Sequence, residues 1–321
     1  MRVFGRAAAR FVAVSAVIGT CGISPVSRDI GALDHPVLGA RPSYGPAAVS
    51  AVPNLAAAGA LVWLPGLDEG WDPQGLAVVE GSLLISAYRS DRFGVNRGPC
   101  RVFRVDPATG RETGHFDLPP PCGHAGGLAY AGGGTLFIAD THTLFEVDLE
   151  SAFTTGRPLF RTFPLAPGLR GALAVSGQDG IWIGTYEEDQ PGRIFKFDLA
   201  VLKALGYGSV LTEQLASAKL AIPSYAQGAA VAPCGKLWIS RSEIGWGSLE
   251  RLDMASGLVE QRYAVAGGIE GISFDASGRM WAVSEAGARH FPWHYPFFPV
   301  VFRLDVDRLV AWRADTNRSA D

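Results

Sequence analysis

Charge is scarce in this chain: Asp, Glu, Lys and Arg make up 18% of 321 residues and leave a net charge of −3 at pH 7. No basic surplus is available to neutralise a phosphate backbone, so a nucleic-acid partner is excluded. Asparagine is nearly absent, occurring only as Asn54, Asn96 and Asn317. The four cysteines form no CxxC pair, which removes the usual structural zinc site. No GxSxG elbow occurs, so a serine-hydrolase triad lacks the turn that exposes its nucleophile. The apolar run at residues 11–19 (FVAVSAVIG) falls well short of the roughly 18 residues a membrane span needs. What is abundant is Gly (40), Pro (21) and hydrophobic residues (48%), a composition that suits short strands joined by tight turns.

Arg2, Arg6 and Arg10 ahead of that apolar run give residues 1–22 the form of an export signal, directing the chain to the periplasm or the exterior. A buried N-terminal helix is the alternative, but no amphipathic stripe supports it. Cys21 after Ile18-Gly19-Thr20 only loosely resembles a lipoprotein attachment box, and lipid anchoring stands as the lesser alternative. Residues 23–59 lack periodicity and read as a flexible linker. A propeller domain is expected over 60–312, with a tail at 313–321. No transmembrane segment is expected after signal removal, and the mature chain should be a monomer. In an oxidising compartment Cys100 and Cys122, which flank a hairpin over 101–118, should be bridged by a disulfide. Cys234 lies in a tight turn without an obvious partner.

One pattern recurs five times. A Gly opens an apolar strand, a Gly-bearing turn follows, and an aromatic-rich strand leads through a variable loop to a third strand ending in Asp. The copies are QGLAVVEGSLLISAY with RVFRVD, GGLAYAGGGTLFIAD with LFEVD, GALAVSGQDGIWIGTY with RIFKFD, QGAAVAPCGKLWIS with SLERLD, and EGISFDASGRMWAVSE with VVFRLD. Each of the first four is followed by one more short strand, and the strand missing from the fifth is found at residues 61–64, ahead of the first copy. The fold read from this is an all-β propeller of five four-stranded blades, closed by an N-terminal strand, with about 49 residues per blade. Six blades is the alternative. Residues 199–218 interrupt the rhythm and read as a surface helix. Leu84, Phe137, Trp182, Trp238 and Trp281 occupy equivalent second-strand positions and are read as inter-blade packing.

The long loops share one face, where binding chemistry usually sits. On that face Gln74, Gln227 and Glu270 each directly precede a strand-opening Gly, and His124 and Arg170 stand near the same junction in the other two blades. Asp140, His142, Tyr186, Glu187, Arg241 and Glu285, at the ends of second strands, would surround them. Such a ring is either a self-bonded polar network or a ligand site. His290 and His294 sit in a Pro-bracketed segment (HFPWHYPFFP) that cannot place them on one helix face, so joint metal binding is disfavoured. Glu187-Glu188-Asp189 reads as a solvated acidic loop, with calcium binding as its alternative.

The copies QGLAV…LLISAY…RVFRVDPATG and EGISFDASGRMWAVSE…VFRLD resemble the gluconolactonase/regucalcin-like and strictosidine-synthase-like propellers over residues 61–305. The resemblance implies lactone or ester hydrolysis, or a condensing synthase. It also implies a divalent metal such as calcium, held over the channel by Glu, Asn and Asp residues that precede strand-opening glycines. Glu270-Gly271 carries that acidic motif and is the best metal candidate, whereas Gln74 and Gln227 stand where a carboxylate or Asn would be expected. Two functions follow. In one, Glu270 or His124 is a general base and Arg170 or Arg241 stabilises an oxyanion, while Gln74, Gln227, Asp140, Arg241, Tyr186 and Glu285 bind a small lactone or ester. In the other, the same ring and the aromatic loop around Trp293 bind a small molecule or protein without turnover.

Overall fold

Every third strand of the repeat ends in Asp for a local reason that the computed structural model makes plain. Asp106 Oδ1 accepts from the Ala108 amide at 2.9 Å, Asp148 Oδ1 from Ser151 at 2.7 Å, Asp253 Oδ1 from Ser256 at 3.0 Å and Asp305 Oδ1 from Asp307 at 3.3 Å. A carboxylate at the strand end thus caps the turn that reverses the chain. Asp198 is the exception, accepting instead from the Ser217 hydroxyl at 2.7 Å. The structure describes residues 36–89, 98–155, 160–243, 245–290 and 296–312. The export signal, the tail, Trp293 and His294 lie outside them.

Five four-stranded antiparallel sheets result. The first blade is β2 (Asp72–Val79), β3 (Ser82–Tyr88), β4 (Cys100–Val105) and β5 (Glu112–Asp117). The second is β6 (Gly127–Gly132), β7 (Thr135–Asp140), β8 (Thr143–Asp148) and β9 (Phe160–Pro164), and the third is β10 (Leu173–Ser176), β11 (Gly180–Gly184), β12 (Gly192–Asp198) and β13 (Ala218–Ile222). The fourth comprises β14 (Ala226–Val231), β15 (Leu237–Glu243), β16 (Trp246–Leu252) and β17 (Val259–Val265). The last joins β18 (Ile269–Phe274), β19 (Met280–Ser284) and β20 (Val300–Leu304) to β1 (Ala58–Trp63), in the order β1-β20-β19-β18.

The expected closure is therefore the observed one. Leu61 pairs with Phe302, Val62 with Val301 and Trp63 with Val300. Joining the first strand to the last sheet leaves the ring no seam. The second-strand residues Leu84, Phe137, Trp182, Trp238 and Trp281 are all buried, as inter-blade packing requires. Trp238, for example, meets Phe274 of the last blade edge-on with centroids 6.4 Å apart.

Two expectations are revised. Residues 199–218 are helical only at Leu199–Ala204, with a further 3-10 turn at Glu213–Leu215. Gly206 and Gly208 follow the helix and stop its propagation. The described part of the stretch read as linker is packed onto the last blade. Leu38 bridges Val62, the Ser50 amide donates to Phe297 O, and Asn54 Nδ2 donates to Ala264 O at 2.8 Å. Its contact residues (Val37, Leu38, Tyr44, Val49, Val52, Leu55) are irregularly spaced, so they carry no periodic signal. Among the described residues no helix is long and apolar enough to cross a membrane.

The innermost strands β2, β6, β10, β14 and β18 contact one another around the axis. Their opening glycines make this possible. A Cβ on Gly127 would lie 2.0 Å from Ala174 N, and one on Gly271 would lie 2.4 Å from Leu76 N. Gly127→Ala should therefore destabilise the protein by at least the roughly 1–3 kcal/mol of ordinary overpacking, since the obstructing atoms are backbone. A chemical denaturation midpoint no lower than wild type would refute this. Past the glycines the channel widens into a cavity of about 240 Å³ of mixed lining, with Leu76, Val175 and Ile272 beside Tyr130, Ser176 and Ser273.

Candidate functional site

Three of the five ring residues stand where the innermost strand slips register. The shifts fall between Pro73 and Leu76, between Ala226 and Gly228, and between Ile269 and Ile272, bracketing Gln74, Gln227 and Glu270. A bulge re-aims the side chain it carries, and here it does so in three blades at one level. Glu270 is further held from the fourth blade, where the Ser240 hydroxyl donates to its carbonyl at 2.5 Å. Ser86 plays the matching part in the first blade, donating to Ala125 O at 2.6 Å and accepting from the Gly75 amide at 2.8 Å.

The ring brings buried acids together with no Lys or Arg paired to them among the described residues. Glu270 and Gln74 are each 3% exposed and Glu285 is 8% exposed. Gln74 Nε2 donates to Glu285 Oε2 at 3.0 Å. Asp72, unmarked by the repeat, is fully buried opposite Tyr88 in the β2–β3 ladder. Among the described residues its oxygens receive only a weak approach from the His290 backbone amide, too poorly aligned for a good hydrogen bond, and His290 Nδ1 lies 3.7 Å from Oδ2.

Burial dominates the electrostatics. It raises Asp72 to about 7, with the His290 backbone amide opposing it. Burial, then the charge of Asp72, raises Glu285 to about 8, against the Gln74 hydrogen bond. Burial, then Glu285, drives Glu270 well above the ordinary carboxyl range. The Tyr88 phenol is pushed upward by burial and then by Glu285, Asp72 and Glu270. Its hydroxyl is buried without a partner among the described residues, as is His124 Nδ1. The rings of Tyr88 and His124 lie tilted by 34° with centroids 5.1 Å apart, and His290 meets Tyr88 edge-on at 5.8 Å. Burial lowers His124 to about 4, against the charge of Asp140, so its imidazole is neutral at physiological pH.

The remaining expected residues do other work. Asp140 anchors the loop that carries His124: its Oδ1 accepts from the amides of Gly123, His124 and Ala125 at 3.1, 2.7 and 2.9 Å. Arg241 is held away from the ring by Ser224 O at 2.6 Å and by the buried Glu250 Oε1 at 2.5 Å. Arg170 lies before the start of β10 and not in a bulge; it is exposed, and no hydrogen bond or ion pair fixes it among the described residues. Gln227 is partly exposed and Tyr186 donates to Glu188 at 3.3 Å. Cys100 and Cys122 meet as the hairpin implies but stand as free, buried thiols, whereas Cys234 is disulfide-bonded. Sequence reasoning missed Asp72, Tyr88 and His290. Asp72 had one available signal, since it lies two residues before the motif at Gln74-Gly75.

Calcium fits this arrangement poorly. It takes six to eight oxygen ligands, yet no three acids at the mouth bring ligand atoms within 4.8 Å of one another among the described residues; the group that does is Cys100, Cys122 and Asp140. Gln74 also turns its amide nitrogen toward Glu285.

No protein-family model matches the chain, and no curated protein does. Among solved structures it is similar to glutaminyl cyclase of Myxococcus xanthus, with a TM-score of 0.50 and 12% identity over 83% of this chain and 97% of that one. It is also similar to a luciferin-regenerating enzyme (TM-score 0.46, 10% identity, 79% and 94% covered) and to regucalcin of Agrobacterium tumefaciens (0.42, 18%, 74% and 92%). Identities this low speak to fold alone. The chain is a five-bladed β-propeller whose channel mouth gathers buried acids.

Proposed function

We propose that the channel mouth is an acid–base site that hydrolyses a small, uncharged lactone or ester. The observation that carries this reading is the trio Asp72, Glu285 and Glu270, buried together with no Lys or Arg paired to them among the described residues and with Asp72 and Glu285 titrating near neutrality. Such a cluster titrates as a unit, so at pH 7 it can hold an ionised carboxylate beside a neutral carboxyl. Glu270, whose carboxyl no hydrogen bond occupies among the described residues, is the base in the fraction of molecules where the cluster's shared proton rests on Asp72 or Glu285. Glu285, bonded to Gln74 and raised to about 8, is the donor to the leaving oxygen. The unpartnered Tyr88 hydroxyl takes the oxyanion role that Arg170 and Arg241 do not fill. An uncharged substrate enters such a site without repulsion, and its carboxylate product is expelled by like charge. The glutaminyl cyclase match makes an enzyme on this scaffold reasonable, without supplying the reaction.

A panel of lactones and esters, assayed from pH 5 to 9 with and without a chelator, tests the proposal. Turnover that survives the chelator and is bell-shaped in pH, with limbs near 7 and 8, is the expected result. Loss of turnover on chelation would overturn the metal-free assignment. Binding without turnover across the panel would favour the second reading, a ligand-binding propeller, which the absence of both arginines from the ring also suits.

A further inference from the structure

Two buried cysteines lie directly behind the aromatic wall of the mouth. Cys100 opens β4 and pairs with Tyr88 across the β3–β4 ladder. Cys122 lies two residues before His124, whose ring meets that of Tyr88 at a tilt of 34°. The two thiols thus belong to the two chain segments that carry these touching rings. Their sulfurs and an Asp140 carboxylate oxygen all lie within 4.8 Å of one another.

Three groups of this kind are the donor set of a thiophilic metal, but the local chemistry opposes one here. Asp140 Oδ1 already accepts three backbone amides and lies 3.6 Å from Cys122 Sγ. A metal there would have to displace the bonds that shape the loop. Space is also lacking, since a Cβ on Gly98 would come within 3.1 Å of Cys100 Sγ and 3.2 Å of Gly123 O.

We infer that Cys100 and Cys122 are a dithiol that closes to a disulfide and thereby clamps Tyr88 against His124 at the channel mouth. The co-reactant is a disulfide-bearing oxidant, of the small-molecule or protein type. Cys122, the more accessible of the two, loses its proton and attacks one sulfur of the oxidant, expelling one thiolate. Cys100 loses its proton, attacks the Cys122 sulfur of the mixed disulfide and expels the second. Two electrons pass to the oxidant, and the two protons end on its thiolates. The export proposed from residues 1–22 would place the chain where such oxidants act. The clamping role rests on the mouth being the functional site, but the bridge itself does not, and neither readout below needs turnover.

The test uses the full chain, equilibrated with oxidised or with reduced glutathione, then denatured, alkylated and analysed by mass spectrometry. The expected result is a Cys100–Cys122 linked peptide, lighter than the dithiol form by two hydrogens, in the oxidised sample only. The bridged form should melt roughly 6–12 °C above the Cys100→Ser/Cys122→Ser double variant. NMR titration of His124 separates a clamp from a simple staple. The structure, in which both thiols are free, holds the imidazole near 4; the double variant should match it, whereas bridged protein should titrate lower by about half a pKa unit or more as the clamped loop excludes water. Both thiols alkylating in the oxidised sample would overturn the bridge. Stoichiometric zinc, added to the reduced protein and protecting both thiols from alkylation, would replace it with a metal site. A bridge that forms yet leaves His124 titrating identically in both proteins would overturn the clamp.

Discussion

Glu270→Gln is expected to lower turnover about 10²–10⁴-fold, the usual worth of a positioned general base, while leaving the melting temperature unchanged or slightly higher. The substitution keeps side-chain volume, and the Ser240 bond to the residue 270 carbonyl is a main-chain contact that persists. What it removes is a buried acid whose ionisation is opposed by burial and by Glu285. An amide carries no such opposition, so the folded state loses nothing at neutral pH. A structural carboxylate predicts the reverse pattern: full specific activity in whatever protein stays folded, and a stability loss of roughly 1–3 kcal/mol from a broken charge-assisted bond. If the variant is less stable but equally active, Glu270 is not the base and the hydrolase proposal fails with it.

The second large effect is on stability as a function of pH. Glu285 has its pKa raised from 4.5 to about 8 on folding, and Asp72 from 3.8 to about 7. Above the unfolded values the native state holds protons that the unfolded chain has released, so stability falls as pH rises through these windows. His124 acts in the opposite sense. Its pKa is lowered from 6.5 to about 4, so the unfolded chain binds the extra proton and stability rises with pH over that interval. The two trends overlap below about 6.5, and the acids dominate above it. Between pH 6.5 and 8 the wild type should lose roughly 2–3 kcal/mol, seen as a melting temperature lower by roughly 4–10 °C. Glu285→Gln should remove half or more of that slope, and Asp72→Asn a smaller share, by relieving both its own burial and its effect on Glu285. A melting temperature that is flat or rising between pH 6.5 and 8, or a slope unchanged in both variants, would show that these acids are not held as described.

Much of the architecture was legible because the physics that builds a propeller acts locally and repeats. The strand-opening glycines recur because innermost strands from neighbouring blades approach to backbone contact, and the strand-ending aspartates recur because all but Asp198 cap their own turns. The N-terminal closing strand was legible by subtraction, as the one outer strand the five copies left unaccounted for. Gln74, Gln227 and Glu270 were legible for the same reason, since each immediately precedes an axial glycine and each lies in a bulge.

The chemistry of the mouth was not legible in this way, because the residues that complete it occupy no repeated position. Asp72 and Tyr88 reach the ring through the register of one ladder, and His290 approaches from a loop with no counterpart in other blades. Arg241 looked equivalent to a site residue, but the buried charge of Glu250 holds it elsewhere; Arg170 lacks the bulge that would have turned it inward. The sequence by itself determined the blade count, the closure and the level of the ring, since these depend on short-range turns and close backbone approach. Only the tertiary structure decided which acids share one buried space, because a carboxyl's proton affinity depends on neighbours brought from distant points in the chain and on the water they exclude.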